Sequence, residues 1–286
     1  MIYTYNAPAK INIGLDVLGR RDDGYHDLKM IMQTIDLEDI LTFTIKEGGR
    51  EITMTCTDSS LSVDDTNLVM RAARHMADEF GIKSSIKIHL EKNIPIAAGM
   101  AGGSTDAATT FIAMNDIFGL GLSKAELMER AVNLGADIPY CILRGTALSE
   151  GIGDILTPLP EYKDVTILIV KPPINVSTAF VYGNLKIDSQ TKHPDIDNIM
   201  NYMAQMNHSA VGSLLGNVLE DVTVKEYPVI DDIKGCMIKN GSLGALMSGS
   251  GPTVFGIFEN DETAGKALEK CLLLVPGSFA KVVHTI

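Results

Sequence analysis

The stretch IPIAAGMAGGSTDAATT, Ile94 to Thr110, decides how this chain is read. Three glycines and three alanines leave it nearly bare of side chains before the polar Ser104-Thr105-Asp106, and two more alanines follow. Ile86, Ile88 and Leu90 alternate ahead of it, the period of a strand, and the residues after it read as a helix to about Phe118. A strand, small residues and a helix N-terminus together present backbone N–H groups to an anion. The helix adds about half a positive charge there, and glycine lets phosphate oxygens reach the main chain. A tight helix entry with alanine for close packing is the competing reading. The density of small residues from Ala97 to Gly103 and the two hydroxyls favour the anion. Asp106 is expected in the first helical turn, where it suits the dipole and can hold a magnesium ion.

The common phosphate-loop patterns are absent. A Walker loop needs G-x-x-x-x-G-K-[ST], and the chain's Gly265-Lys266 is followed by Ala267. G-x-G-x-x-G does not occur, which excludes the usual dinucleotide fingerprint, and neither does the G-x-S-x-G of a hydrolase elbow.

At 286 residues the chain has room for two domains, and 45% hydrophobic with 21% charged residues is an ordinary globular composition. A net charge of −12 disfavours nucleic acid or an anionic membrane as partner, yet leaves a small anionic ligand open. Cys56, Cys141, Cys236 and Cys271 are far apart and form no C-x-x-C, so buried thiols in a reducing compartment are expected rather than a metal or redox site. The opening MIYTYNAPAKINIGL lacks the pattern of a signal peptide, and no apolar run reaches about 18 residues. A cytoplasmic protein is expected, with no dedicated metal site and no membrane partner.

Ile11, Ile13, Leu15 and Val17 alternate with Lys10, Asn12, Gly14 and Asp16, a strand that puts Lys10 and Asn12 on one face. Leu41-Phe43-Ile45 and Ile52-Met54-Cys56 alternate about Gly48-Gly49 and predict a hairpin. Leu68 to Phe80 has helical spacing, with Thr66 as N-cap and Gly81 as stop. Ser123 with Glu126 predicts a capping box on a helix ending near Gly135. The turn-rich GIGDILTPLP, 151–160, predicts a domain boundary, with residues 1–156 and 157–286 on either side. Beyond it come a strand at 165–170, several helices between 177 and 239, strands near 246 and at 253–258, a helix at 263–274 and a strand at 281–286. This mixture without a βαβ period points to α+β layers.

The stretch PIAAGMAGGSTDAA resembles the P-x-x-x-G-x-x-G-G-[ST]-[ST]-D-A-A loop of the GHMP kinase superfamily. APAKINIGLDVLGRRDDGYH near the N-terminus and GALMSGSGPTVFGIF near the C-terminus agree in order and spacing. Lys10, Gly24-Tyr25-His26 and Gly135-Ala136-Asp137 are similar to the branch of that superfamily acting on a cytidine-diphosphate-linked methylerythritol. The resemblance runs from residue 7 to about 258. Thr105 replaces a commoner serine and Met100 a commoner leucine, both mild exchanges.

The resemblance implies a two-domain α+β fold, ribosomal S5-like in the N-terminal half and ferredoxin-like in the C-terminal half, with ATP and the acceptor in the cleft between them. It implies transfer of the ATP γ-phosphoryl group to the 2-hydroxyl of the methylerythritol unit. Asp137, after a helix and before Pro139, matches the general base, and Lys10 the catalytic lysine. Pro95, Ile96, Ala97, Ala98, Gly99, Met100, Ala101, Gly102, Gly103, Ser104 and Thr105 would hold ATP, with Asn67 near the nucleotide unless it only caps its helix. Asn12 and Thr178 would lie near the acceptor, and Tyr25, His26 and Tyr182 would contact the cytosine. Magnesium is expected with ATP, held by phosphates and water, since no carboxylate cage is visible. Gly249-Ser250-Gly251 would close over the ligand, or simply connect two strands. Other kinases of the superfamily, acting on homoserine, mevalonate or a sugar, are the alternative, and a non-catalytic relative is another; Lys10 and Asp137, which such a relative would lose, are both present.

Overall fold

The computed structural model describes residues 1–286. Two long strands open the chain, β1 (Ile2–Arg20) and β2 (His26–Cys56). Then follow α1 (Leu68–Glu79), β3 (Ser84–Glu91), α2 (Gly102–Ile117), α3 (Lys124–Ala131) and α4 (Ile138–Leu143). β4 (Thr146–Gly151), β5 (Ile155–Pro158) and β6 (Thr166–Lys171) lead to α5 (Thr178–Asn184), α6 (Ile196–Ala204) and α7 (His208–Leu214). A two-residue β7 (Gly216–Asn217) precedes α8 (Glu220–Glu226) and α9 (Val229–Lys239). The chain ends with β8 (Gly244–Met247), β9 (Val254–Phe258), α10 (Asp261–Leu274) and β10 (Phe279–His284). The order is α+β, as its patterning implied.

Two compact units result, neither continuous in sequence. The first comprises Met1–Ala9, Leu37–Ile96 and Ala101–Arg144; the second comprises Lys10–Asp36, Ala97–Met100 and Gly145–Ile286. The expected boundary was a single cut at residues 156 and 157. The turn-rich segment behind it has a local cause: it is the hairpin joining β4 to β5, with Glu150 opposite Ile155 and left-handed glycines at Gly151 and Gly153.

In the first unit, Gly48 and Gly49 turn the chain with φ of 78° and 83°, but the two arms of β2 do not simply pair as a hairpin. β3 enters between them, so that Ile88 stands opposite Phe43 on one side and Met54 on the other. A buried three-strand arrangement gains more apolar contact than an isolated hairpin. Asn67, not Thr66, caps α1: its Oδ1 accepts from Val69 N at 2.9 Å, while the Thr66 hydroxyl donates to Asp64 Oδ1 at 2.7 Å. Ser123 and Glu126 form the expected capping box of α3. α2 packs against α1, α3 and α4, and nearly every residue from Thr105 to Met114 is buried. Its alanines therefore serve close packing as well as the loop before it, with each large apolar side chain buried here contributing roughly 1.5–3 kcal/mol.

In the second unit the strand order runs β5-β4-β2-β1-β7, with Gly14 of β1 parallel to Gly216 of β7. A separate antiparallel sheet has the order β10-β6-β9-β8. Its connectivity, β6, helices, β8, β9, α10, β10, is that of a ferredoxin-like fold. Ile167 to Val170 of the central β6 are all fully buried, which explains their unbroken apolar run. The last residue is tied back to β2: Ile286 N donates to Thr34 O at 3.0 Å, and Gln33 Nε2 to Ile286 O at 3.1 Å.

Candidate active site

Lys10 and Asn12 lie on β1 in the second unit, and neither faces solvent. Lys10 is 5% exposed and Asn12 not at all. Strand alternation puts them on one face, and Lys10 Nζ donates to Asn12 Oδ1 at 2.8 Å. An ammonium carries three donors, and no carboxylate is among the ion-pair partners of this one. The backbone of β1 is bonded to both glycine-rich turns. Lys10 N donates to Met100 O at 3.2 Å, and Asn12 N donates to Ser248 Oγ at 3.3 Å. Ser248 Oγ in turn donates to Gly99 O at 2.9 Å. A Cβ at Gly99 would stand 2.3 Å from the Ser248 carbonyl oxygen, so that glycine serves the contact between turns rather than a ligand.

The residues expected to hold the acceptor gather in the same unit. The rings of His26 and Tyr182 lie 5.2 Å apart, tilted by 41°. Burial first, and then the charge of Arg20, hold the His26 imidazole below its usual pKa, so its neutral form prevails near pH 7. Tyr25 is 62% exposed in the turn before β2. Thr178, at the start of α5, shares a 2.8 Å hydroxyl contact with Ser250 of the second turn. That turn is braced by Asn217, whose Nδ2 donates to Met247 O and Gly249 O, both at 2.8 Å. Ser248 and Asn217 escaped sequence reasoning. Ser248 lies inside the quoted GALMSGSGPTVFGIF without having been singled out, but Asn217 sits on a two-residue strand that no pattern announces.

The remainder of the loop has an unusual backbone. Ala97 (φ 50°), Gly99 (φ 71°) and Ala101 (φ 56°) are all left-handed, with the residues between them of ordinary sign. Such alternation turns successive N–H groups toward a concavity that suits an anion. Two of the three are alanines, at a cost of about 1–3 kcal/mol each. Ala98 and Met100 are buried, and Ala97 and Gly103 are exposed.

In the first unit, α2 begins at Gly102 with Ala101 as its N-cap and no side-chain cap. Its first-turn N–H groups are thus free of a capping oxygen, and Ser104 stands in that turn. Thr105 is fully buried and donates its hydroxyl to Pro8 O at 2.8 Å, so this hydroxyl fastens the helix and is not offered to ATP. Asp106 falls in the second turn, not the first, and is buried against Lys92 at 3.2 Å. It is therefore not available to magnesium, and no cluster of three His, Cys, Asp or Glu side chains offers a metal cage. Asn67 uses both amide atoms internally, its Nδ2 donating to Ser62 O at 2.7 Å. Pro95 and Ile96 complete the approach to the loop. Asp137 is half-buried at the N-cap position of α4, with its carboxylate not spent on capping and Pro139 in the first turn. A cavity of about 400 Å³ lined by Met54, Asp64, Thr66, Met70 and Arg74 contains none of the expected site residues.

Comparison with known proteins bears on this arrangement. Residues 67–145 match the family described as GHMP kinases N terminal domain, and residues 189–272 the GHMP kinases C terminal family. The chain is 50% identical over 266 residues to a 4-diphosphocytidyl-2-C-methyl-D-erythritol kinase of Lachnoclostridium phytofermentans, covering 93% of this chain and 91% of that one. It is 46% identical over 263 residues to the kinase of the same name from Clostridium perfringens, covering 92% and 91%. A crystal structure of 4-(cytidine 5'-diphospho)-2C-methyl-D-erythritol kinase superposes with a TM-score of 0.81 at 29% identity, over 98% of this chain and 99% of that one. A homoserine kinase from Cytophaga hutchinsonii reaches a TM-score of 0.82 at 20% identity over 100% and 94%, a likeness of fold alone. No helix is long and apolar enough to cross a membrane. With an alternating strand that buries a lysine, two mutually bonded glycine turns and an identity that spans nearly the whole length, the chain belongs to the GHMP kinases, in the 4-diphosphocytidyl-2-C-methyl-D-erythritol kinase family.

Proposed function

We propose that this kinase transfers the γ-phosphoryl group of ATP to the 2-hydroxyl of 4-diphosphocytidyl-2-C-methyl-D-erythritol, a step of the non-mevalonate isoprenoid route, releasing ADP. The observation that carries the chemistry is the buried Lys10, whose hydrogen-bond partner is the neutral Asn12 on a strand bonded to both glycine turns. A buried ammonium without a counter-ion calls for an anion from outside, and a triphosphate supplies one. The left-handed alternation from Ala97 to Ala101 and the uncapped start of α2 at Gly102, Gly103 and Ser104 support the phosphate role.

In the proposed step the acceptor oxygen forms its bond to the γ-phosphorus as the bond to the bridging oxygen of ADP breaks. Asp137 receives the hydroxyl proton, and Lys10 offsets charge on the moving group. The ring pair of His26 and Tyr182 supports a stacking role against cytosine, with Tyr25 beside His26 in sequence, and Thr178 and Asn12 orienting the acceptor. Magnesium would be brought by ATP and would offset triphosphate charge, with no carboxylate cage of this chain to hold it. Residues 1–156 and 157–286 are taken as the two functional domains, which puts the two matched family segments on either side.

The test is ADP release from ATP and magnesium with the cytidyl acceptor beside homoserine, mevalonate and galactose. Turnover is expected with the cytidyl compound alone, and Asp137→Asn is expected to lower kcat by about 10²–10⁴. Turnover with another acceptor would replace the substrate. ATP binding without turnover on any would replace the enzyme with a binding protein.

A further inference from the structure

Beneath the start of α2, two carboxyl groups share one ammonium. Asp39 is fully buried, Asp106 is 2% exposed, and the Lys92 side chain is 5% exposed. Lys92 Nζ pairs with Asp39 Oδ2 and lies 3.2 Å from Asp106 Oδ2. Asp39 Oδ1 accepts from Asn93 N at 2.6 Å and Ile94 N at 2.8 Å. Asp106 Oδ1 is buried and has no donor. Two ionised carboxylates here would leave one negative charge in excess and one oxygen unsatisfied, both costly away from water. A proton on Asp106, directed at its neighbour Asp39, removes both faults.

The cluster also joins the two ends of the loop. Lys92 to Ile94 is the backbone leading in, and Asp106 is the second turn of the helix leading out. Gly102 lies against it: a Cβ there would stand 2.8 Å from Lys92 Nζ and 3.1 Å from Ile94 Cγ2. This glycine therefore makes room for the ammonium.

We propose that Asp39, Lys92 and Asp106 form a latch, with Asp106 as its neutral acid, that sets the position of the first turn of α2 and keeps the space beneath it neutral for an incoming phosphate. The latch rests on the reading of that turn as the ATP-holding loop. Its members are positioning residues, since none touches the reacting atoms. The groups facing Asp106 are Lys92, Asp39 and, at the end of β2, the Cys56 thiol, with Asp58 beyond it near Lys92. From α1, Leu68 approaches Gly103 at the start of α2. Burial, the largest cause, and the neighbouring Asp39 raise the Asp106 pKa well above the carboxylate range, against the pull of Lys92. The sign follows. The neutral acid belongs to the folded state, its contribution is whole at low pH, and it is lost as pH rises through the raised pKa. Ionisation would put negative charge under the phosphates.

The experiment compares the full-length wild type with Asp106→Asn and Asp106→Ala, measuring KM for ATP and kcat from about pH 6 to about pH 9. Asp106→Asn, an isostere of the neutral acid, is expected to keep KM for ATP within about twofold and to remove its rise at alkaline pH. Asp106→Ala is expected to raise that KM about tenfold with a smaller change in kcat, the size of one lost charge-assisted hydrogen bond. Carbon-13 NMR of aspartate-labelled wild type, assigned by loss of a carboxyl signal in Asp106→Asn, reads the protonation directly. A protonated Asp106 at neutral pH supports the latch. An Asp106 titrating in the ordinary carboxylate range, or an Asp106→Asn as impaired in ATP binding as Asp106→Ala, overturns it. Absence of turnover with the cytidyl acceptor would fail the kinase reading alone, because ATP binding and the NMR titration still judge the latch.

Discussion

Lys10 and Lys92 are both withdrawn from water, and the company each keeps is different. Lys92 pairs with two carboxyl groups, so its charge is answered within the protein. Lys10 bonds to a neutral amide and has no acidic partner. A buried ion pair holds a fold in place, whereas a buried charge left unanswered weakens the fold and persists where a ligand answers it. Burial alone therefore does not separate a functional lysine from a structural one; the charge balance around it does. The local sequence offers no such distinction: Lys10 stands between Ala9 and Ile11 and Lys92 between Glu91 and Asn93, and neither setting shows what the fold places against the charge.

The largest test of this contrast is the pair of lysine removals. Lys10→Met is expected to lower kcat by about 10²–10³, with the folding midpoint unchanged or raised. Lys92→Met is expected to cost about 3–5 kcal/mol of stability in a denaturant titration, because two buried carboxyl groups lose their partner. Equal destabilisation by both would break the comparison. Glycines sharpen it at the next level. Gly99→Ala forces a Cβ to 2.3 Å from the Ser248 carbonyl at a left-handed φ, and a loss of about 1–3 kcal/mol is expected. Gly103, exposed and with Leu68 no closer than 3.8 Å, has space for a methyl group. Gly103→Ala is expected to leave stability within about 0.5 kcal/mol while raising KM for ATP. The smallest effect concerns His26. Its lowered pKa means that KM for the cytidyl acceptor is expected to hold steady through neutral pH and to rise only below the usual imidazole range, by about threefold. His26→Gln is expected to flatten that profile, and a profile unchanged by the substitution would remove His26 from the acceptor site.

Much of the fold was legible because it is local. Alternation at Ile11 to Val17 lies within β1, the helical spacing from Leu68 is α1, and Ser123 with Glu126 forms the capping box. The glycine loop was legible as a strand-to-helix turn of small residues, and its phosphate role is a proposal. Gly99 and Gly102 answer close approach inside the protein, and Gly103 remains open. What was not legible is long-range. Nothing near Gly48-Gly49 says that β3 will come between the two arms, and nothing in the local sequence announces that compact units part at residue 144 and inside β1 and β2. The roles of Thr105 and Asp106 shifted for the same reason. Their partners, Pro8 and Lys92, are brought by other elements.

By itself the sequence determined most element types, the small-residue turn into α2 and the family, because each rests on residues close together in the chain or on motifs kept in order. The tertiary structure decided which polar residues are free to act. It buried Lys10 against a neutral partner, spent Thr105 and Asp106 on internal contacts, and joined Gly99 to Ser248. The physical reason is that the cost of a buried charge or hydroxyl depends on what the rest of the chain sets against it, and that is known only once the chain has folded.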